Sequence, residues 1–268
     1  MLCFLILSHM TSPAQFELPA PLKYAMMTFM ETNISTTTND APESILVKGI
    51  DYSYRKNHVL DHLEFTLPLG ESIAILGANG SGKSTLLSIL AGARRCKGAS
   101  MLYQDTDLLK QASMRNRLIG YVPQSDPLMP DMSVRDNLLL WFHGKRSEFD
   151  AALQTPSIRM LQLDSFLRKR VNALSGGMRK RVSLATALIN DPQILIMDEP
   201  AAALDLCYKA EIRSYLEQFH KDGRTLILTT HDEEDLSIIS RLYLLRGGKL
   251  LLQDRILRGD ELIEEIKK

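Results

Sequence analysis

The chain has 268 residues, 45% of them apolar and 24% charged, and its 32 Lys and Arg balance its 32 Asp and Glu for a formal net charge of zero. That length and apolar content suffice to bury a core in one large domain or two small ones, which excludes a disordered chain. A zero net charge excludes an overall field drawing the chain onto nucleic acid or an anionic lipid surface, so membrane association must come through a partner protein.

In chain order, the apolar start from Met1 to Leu7 has no basic flank and is too short to span a bilayer, so it reads as neither anchor nor export signal. Residues 1–43 are rich in Thr, Ser, Asn, Pro and Met without a sustained period, and read as a loosely ordered extension. Met26, Met27 and Met30 all precede the first good strand, and translation is expected to start at one of them. Cys3, Cys96 and Cys207 have neither metal-ligand nor redox spacing, which points to reduced thiols in a cytoplasmic compartment.

From Ile45 the pattern becomes regular. Ile45–Val47, Tyr52–Tyr54, Val59–Leu60 and Leu63–Leu67 read as short antiparallel strands, closed by Gly70. Ser72–Leu76, Leu118–Val122, Ile194–Met197, Thr225–Thr229 and Leu242–Leu245 are continuous apolar runs, as expected of parallel strands covered by helices on both faces. Between Ser133 and Leu174 helical periodicity takes over, with Leu138, Trp141, Phe142, Ile158, Leu161, Leu163, Phe166 and Leu167, and this stretch reads as a helical insertion. Trp141 and Phe142 are expected in its core rather than on a groove.

The run Gly77-Ala78-Asn79-Gly80-Ser81-Gly82-Lys83-Ser84-Thr85 lies between an apolar strand and the helical stretch from Leu86 to Leu90. In that context G-x-x-x-x-G-K-[ST] is a phosphate cradle: glycines let backbone N–H groups converge on one anion, and the opening helix adds its positive end. Lys83 then reaches the β- and γ-phosphates, and Ser84 holds Mg²⁺. The strand Ile194–Met197 ends in Asp198 and Glu199, which places Asp198 beside the phosphate loop to position Mg²⁺ and makes Glu199 the candidate for polarising an attacking water. Farther upstream, Ser175, Gly176 and Gly177 open the stretch Met178–Ile189, a predicted helix, and make a second anion site from a hydroxyl, exposed N–H groups and a helix dipole.

Leu174-Ser175-Gly176-Gly177-Met178 resembles the LSGGQ signature of the ATP-binding cassette (ABC) ATPases, and the resemblance extends through six ordered motifs between about Ile45 and Gln253. It implies an α/β fold at 44–268: a P-loop NTPase core with a mixed, mostly parallel sheet, an N-terminal antiparallel β subdomain, and an α-helical subdomain inserted at about 126–190. It also implies that ATP is held by Gly77, Asn79, Gly80, Ser81, Gly82, Lys83, Ser84 and Thr85, with Tyr54 stacked on adenine. Ser84, Gln124 and Asp198 would hold Mg²⁺. Gln124 resembles the Q-loop glutamine near the membrane partner, Asp205 lies in a D-loop, and His231 is the switch histidine for the γ-phosphate.

In this family two cassettes close head to tail, so each ATP lies between one phosphate loop and the partner's Ser175, Gly176 and Gly177. The implied partners are a second ABC ATPase subunit, identical or different, and transmembrane permease subunits that place the chain on the inner face of the cell membrane. The short helical segment is similar to export-type cassettes. The alternative is a soluble ABC ATPase acting on a nucleic-acid or ribosomal partner; the cluster Arg179-Lys180-Arg181 reads instead as a solvated helix face. Three departures stand out: Met178 for Gln, Ala201 and Ala202 where Thr and Ser are common, and Ala78 for Pro.

Overall fold

A computed structural model describes residues 43–199 and 206–267. Strands β1 (Ser44–Tyr54) and β2 (Asn57–Pro68) pair antiparallel, and β4 (Ser100–Tyr103) and β5 (Thr106–Asp107) complete a four-stranded sheet in the order β2-β1-β4-β5. The second sheet runs β10-β9-β3-β8-β7-β6, from β3 (Ser72–Leu76), β6 (Ile119–Val122), β7 (Ile194–Asp198), β8 (Thr225–Thr229), β9 (Arg241–Arg246) and β10 (Lys249–Leu252). Every pairing in it is parallel except that of the edge strand β10 with β9.

The unbroken apolar runs have a direct cause. Successive side chains on a strand point to opposite faces. Ile73, Ile75, Ile194, Ile196 and Ile227 therefore join the core under the antiparallel sheet, together with Leu86, Leu87, Ile89 and Leu90 of helix α1 (Lys83–Leu90). Ala74, Leu76, Leu195, Met197, Leu226 and Leu228 face a second core on the other side of the same strands. Both faces are dry, so no polar alternation is present to read.

Helix α2 (Ala112–Leu118) leads into β6, so Leu118 ends a helix and does not start the strand. After β6 come α3 (Val134–Trp141), the single turns α4 (Phe149–Ala152) and α5 (Pro156–Arg159), and then α6 (Gly176–Leu188) before β7. Leu138, Phe149, Leu153, Ile158, Leu161, Leu163 and Phe166 pack into the second core rather than a separate one. Helices α7 (Leu206–Lys221) and α8 (Gly259–Lys267) complete the chain. Among the described residues no helix is long and apolar enough to cross a membrane.

Candidate functional site at the sheet's carboxyl edge

The phosphate loop leaves the carboxyl end of β3 and enters α1. Gly77 and Gly82 are required there by both shape and backbone. Gly77 has φ 155°, and a Cβ on it would lie 2.4 Å from the Leu245 carbonyl oxygen; Gly82 has φ 106°, and its Cβ would lie 2.6 Å from Val59 Cγ1. Gly82 is the N-cap of α1 but no side chain caps it, so the N–H groups of the first turn are left for a ligand. Lys83 is buried and its ammonium donates to the carbonyls of Gly77 at 2.8 Å and Ala78 at 3.1 Å. Burial pushes its pKa down, against the pull of Glu199 and Asp198. Ser84 is exposed at the loop mouth, as are Asn79 and Gly80. Ser81 Oγ is buried and has no hydrogen-bond partner among the described residues. An orphaned hydroxyl, an uncapped helix start and a buried cation fit a phosphate group, and Ser84 with the nearby carboxylates fits Mg²⁺.

Asp198 and Glu199 sit at the carboxyl end of β7. Thr229, at the end of β8 and paired with Asp198 in register, donates its hydroxyl to Asp198 Oδ1 at 2.8 Å. The Glu199 N–H lies 3.1 Å from both the Thr229 carbonyl and its Oγ1. Glu199 has φ 52°, a left-handed backbone disfavoured for a residue with a Cβ and disfavoured again before proline. Such strain costs about 1–3 kcal/mol and persists where surrounding contacts impose it. Here the contacts on the backbone are the two Thr229 acceptors of the Glu199 N–H. Two side chains far away in sequence hold the carboxylate: Gln124 Nε2 donates to Glu199 Oε2 at 3.0 Å, and His231 Nε2 lies 3.0 Å from Glu199 Oε1. Gln124, Glu199 and His231 therefore converge. Thr229 was missed in the sequence because a threonine ending an apolar strand carries no signal of its own.

Tyr54 is exposed, and its hydroxyl lies 3.2 Å from Thr85 Oγ1, which ties the end of β1 to α1. Its ring meets Tyr52 edge-on with centroids 5.1 Å apart, and the Arg94 guanidinium lies 5.2 Å from its centroid. Ser175 caps α6 by accepting the Met178 N–H at 3.2 Å, so the helix starts at Gly176, two residues before the predicted Met178. No hydrogen bond or ion pair joins Ser175, Gly176 or Gly177 to the phosphate loop among the described residues. Asp205, Ala201 and Ala202 lie outside them, as do the N-terminal extension and its methionines.

Two expectations are corrected. The Arg179-Lys180-Arg181 cluster is not a solvated face: Lys180 is buried, Arg179 donates to the Leu174 carbonyl, and the Arg181 guanidinium lies over the Tyr208 ring. Trp141 is not core either. It is 41% exposed and, with Tyr121, Pro123, Pro127 and His143, lines a cleft of about 490 Å³, while Phe142 does pack inward on Phe149. Burial pushes the Tyr121 hydroxyl in this wall up to about 12.

A glycine-shaped phosphate loop facing two strand-end carboxylates across a parallel sheet defines a P-loop ATPase cassette. The chain belongs to the ABC transporter family, whose match spans residues 60–202. It is 35% identical over 232 residues to the Nod factor export ATP-binding protein I of Rhizobium etli, covering 84% of this chain and 72% of that protein. It is 32% identical over 213 residues to a sulfate/thiosulfate import ATP-binding protein of Bacillus cereus, covering 76% of this chain and only 59% of that protein. Among solved structures, a dimeric ATP-binding cassette in a post-hydrolysis state bound to ADP and Pi matches with TM-score 0.70 and 26% identity, over 80% of this chain and 99% of that one. A dimeric bacterial ABC transporter cassette matches with TM-score 0.69 and 27% identity over the same shares.

Proposed function

We propose that this chain is the ATP-hydrolysing subunit of an export-type ABC transporter, closing head to tail on a second cassette and driving separate transmembrane permease subunits at the inner face of the cell membrane. The observation that carries the reading is the Glu199 carboxylate, held by Gln124 and His231 at 3.0 Å each beside the phosphate loop. A carboxylate so placed accepts the proton of a water attacking the γ-phosphate, a role worth about 10²–10⁴-fold in rate. Lys83 and the N–H groups of the loop bind the phosphates, and His231 holds the γ-phosphate from the end of β8. Ser84, Asp198 and the Gln124 amide oxygen would hold Mg²⁺, which when bound neutralises charge on the β- and γ-phosphates.

Pairing with a second cassette is supported by Gly176 and Gly177. Both lie in a helix without positive φ; a Cβ on Gly177 would meet nothing within 4 Å, and one on Gly176 only the Arg179 side chain at 4.0 Å. Glycine costs a helix about 1 kcal/mol relative to alanine, so the chain's own packing gives no reason for either. Bare backbone on an uncrowded helix start suits close approach of a partner's nucleotide. The cleft beside Trp141 and Tyr121 suits the permease, and its wall leads through Pro123 to Gln124, which would couple the permease to the phosphate site. The export reading rests on the short helical segment after β6 and on the match, 35% identical over 232 residues, to an export ATP-binding protein.

Glu199→Gln tests the reading. The variant is expected to bind ATP, to release almost no phosphate, and to accumulate as an ATP-dependent dimer on size exclusion. Near-normal phosphate release, or a monomer at saturating Mg-ATP, would refute it.

A further inference from the structure

The hairpin of β1 and β2 carries a second cluster of chemically capable side chains. Ile50 pairs with Leu63 and Tyr52 with Leu60, so Asp51 alone faces both Asp61 and His62. This is a β-bulge, a device that re-aims side chains. As a result His62 Nδ1 lies 2.8 Å from Asp51 Oδ2 and 3.0 Å from Asp61 Oδ1, and His58 Nε2 lies 3.4 Å from Asp51 Oδ1. One ligand atom from each of Asp51, His58 and Asp61 lies within 4.8 Å of the other two.

We propose that Asp51, His58 and Asp61 form a binding site for a divalent transition ion, zinc foremost, with His62 holding the two carboxylates in place. Donors about 2.0–2.2 Å from a tetrahedral ion stand roughly 3.3–3.6 Å apart, which is the His58–Asp51 separation. One imidazole and two carboxylates suit zinc or a similar first-row ion; a soft ion would want thiolate, and Mg²⁺ or Ca²⁺ a set of oxygens alone. Ligating carboxylates are usually held by a further hydrogen bond. Asp61 has one: Lys249 Nζ lies 2.7 Å from its Oδ2, leaving Oδ1 turned to the cluster. All three ligands are solvent-accessible, so an ion can enter directly. Val59 and Leu60, between His58 and Asp61, back the phosphate loop at Gly82, so the ion would brace that wall.

The test is zinc titration by calorimetry, and cobalt titration by visible absorption, on tag-free, chelator-treated protein without nucleotide. One ion per chain at micromolar or tighter affinity is expected, with the visible bands of tetrahedral cobalt. Asp51→Asn and His58→Gln, chosen to keep side-chain shape, should each weaken binding at least about tenfold with an unchanged circular dichroism spectrum. Binding that is absent from the parent protein, or equal in these variants and the parent, leaves only an ion-pair cluster and overturns the proposal. Loss of binding in Asp198→Asn instead would place the ion at the phosphate site and overturn it equally.

Discussion

The Thr229 hydroxyl donates to Asp198 Oδ1 at 2.8 Å and stands 3.1 Å from the Glu199 N–H, so one side chain at the end of β8 sets the geometry of both carboxyl-bearing residues at the end of β7. Thr229→Val keeps the shape and deletes the hydroxyl. It is expected to cost about 1–3 kcal/mol of stability, because buried Asp198 loses a donor. ATPase activity should fall with a raised Mg²⁺ requirement. A Mg²⁺ titration of ATPase rate checks this, and a midpoint equal to the parent's would remove Thr229 from the site.

Tyr54 is the ring we propose for adenine, and stacking a base on an aromatic ring is worth about 1–3 kcal/mol. Tyr54→Ala should therefore weaken ATP binding roughly five- to 150-fold at fixed Mg²⁺. Tyr54→Phe should keep most of the affinity, losing only the Thr85 contact. Equal affinity for ATP and GTP losses, read with fluorescent analogues, is compatible with stacking; an unaffected Tyr54→Ala is not.

Gly120 and Gly177 should respond in opposite ways to alanine. A Cβ on Gly120 would lie 2.4 Å from the Ala187 carbonyl oxygen, where β6 meets α6 backbone to backbone. Gly120→Ala should lower the unfolding midpoint, with overpacking costs of about 1–3 kcal/mol. Gly177→Ala should leave stability unchanged or raised by up to about 1 kcal/mol, yet abolish ATP-dependent dimer formation. Thermal unfolding and size exclusion on both variants separate the two effects, and a dimer-competent Gly177→Ala would count against the second anion site.

Glu71 provides a pH dependence. The Ser240 hydroxyl, 2.5 Å away, and the Arg241 guanidinium, 3.4 Å away, hold its carboxyl below 4.5. A depressed folded-state pKa stabilises the protein above the unfolded value and is lost as pH falls through the folded one. Stability should accordingly drop below about pH 4.5, and Glu71→Gln should flatten that limb. Denaturant unfolding of both proteins from pH 6 to 3 measures it; parallel curves would show that Glu71 contributes nothing to the slope.

Much of the fold was readable because it is written locally. The five parallel strands announce themselves as apolar runs, since each feeds two cores at once. The antiparallel sheet was read less well. Ser44–Tyr54 is one strand, broken in the sequence pattern at Gly49, whose φ of 68° and close approach to the Gly98 carbonyl make a bulge. The strands β4, β5 and β10 are four residues or shorter, too brief for a period to register. Lys180 looked solvated because its neighbours are basic, and only the packing of α6 buries it.

The sequence by itself determined the phosphate loop, the carboxyl-tipped strand and the serine-capped glycine helix, because each is a contiguous stretch whose chemistry follows from backbone freedom, strand period and helix capping. Only the tertiary structure decided that Gln124, Glu199 and His231 meet, and that Thr229 stands over Asp198. Those contacts join residues on the carboxyl ends of β6, β7 and β8, and their adjacency comes from strand order, which burial of both sheet faces imposes on the chain as a whole.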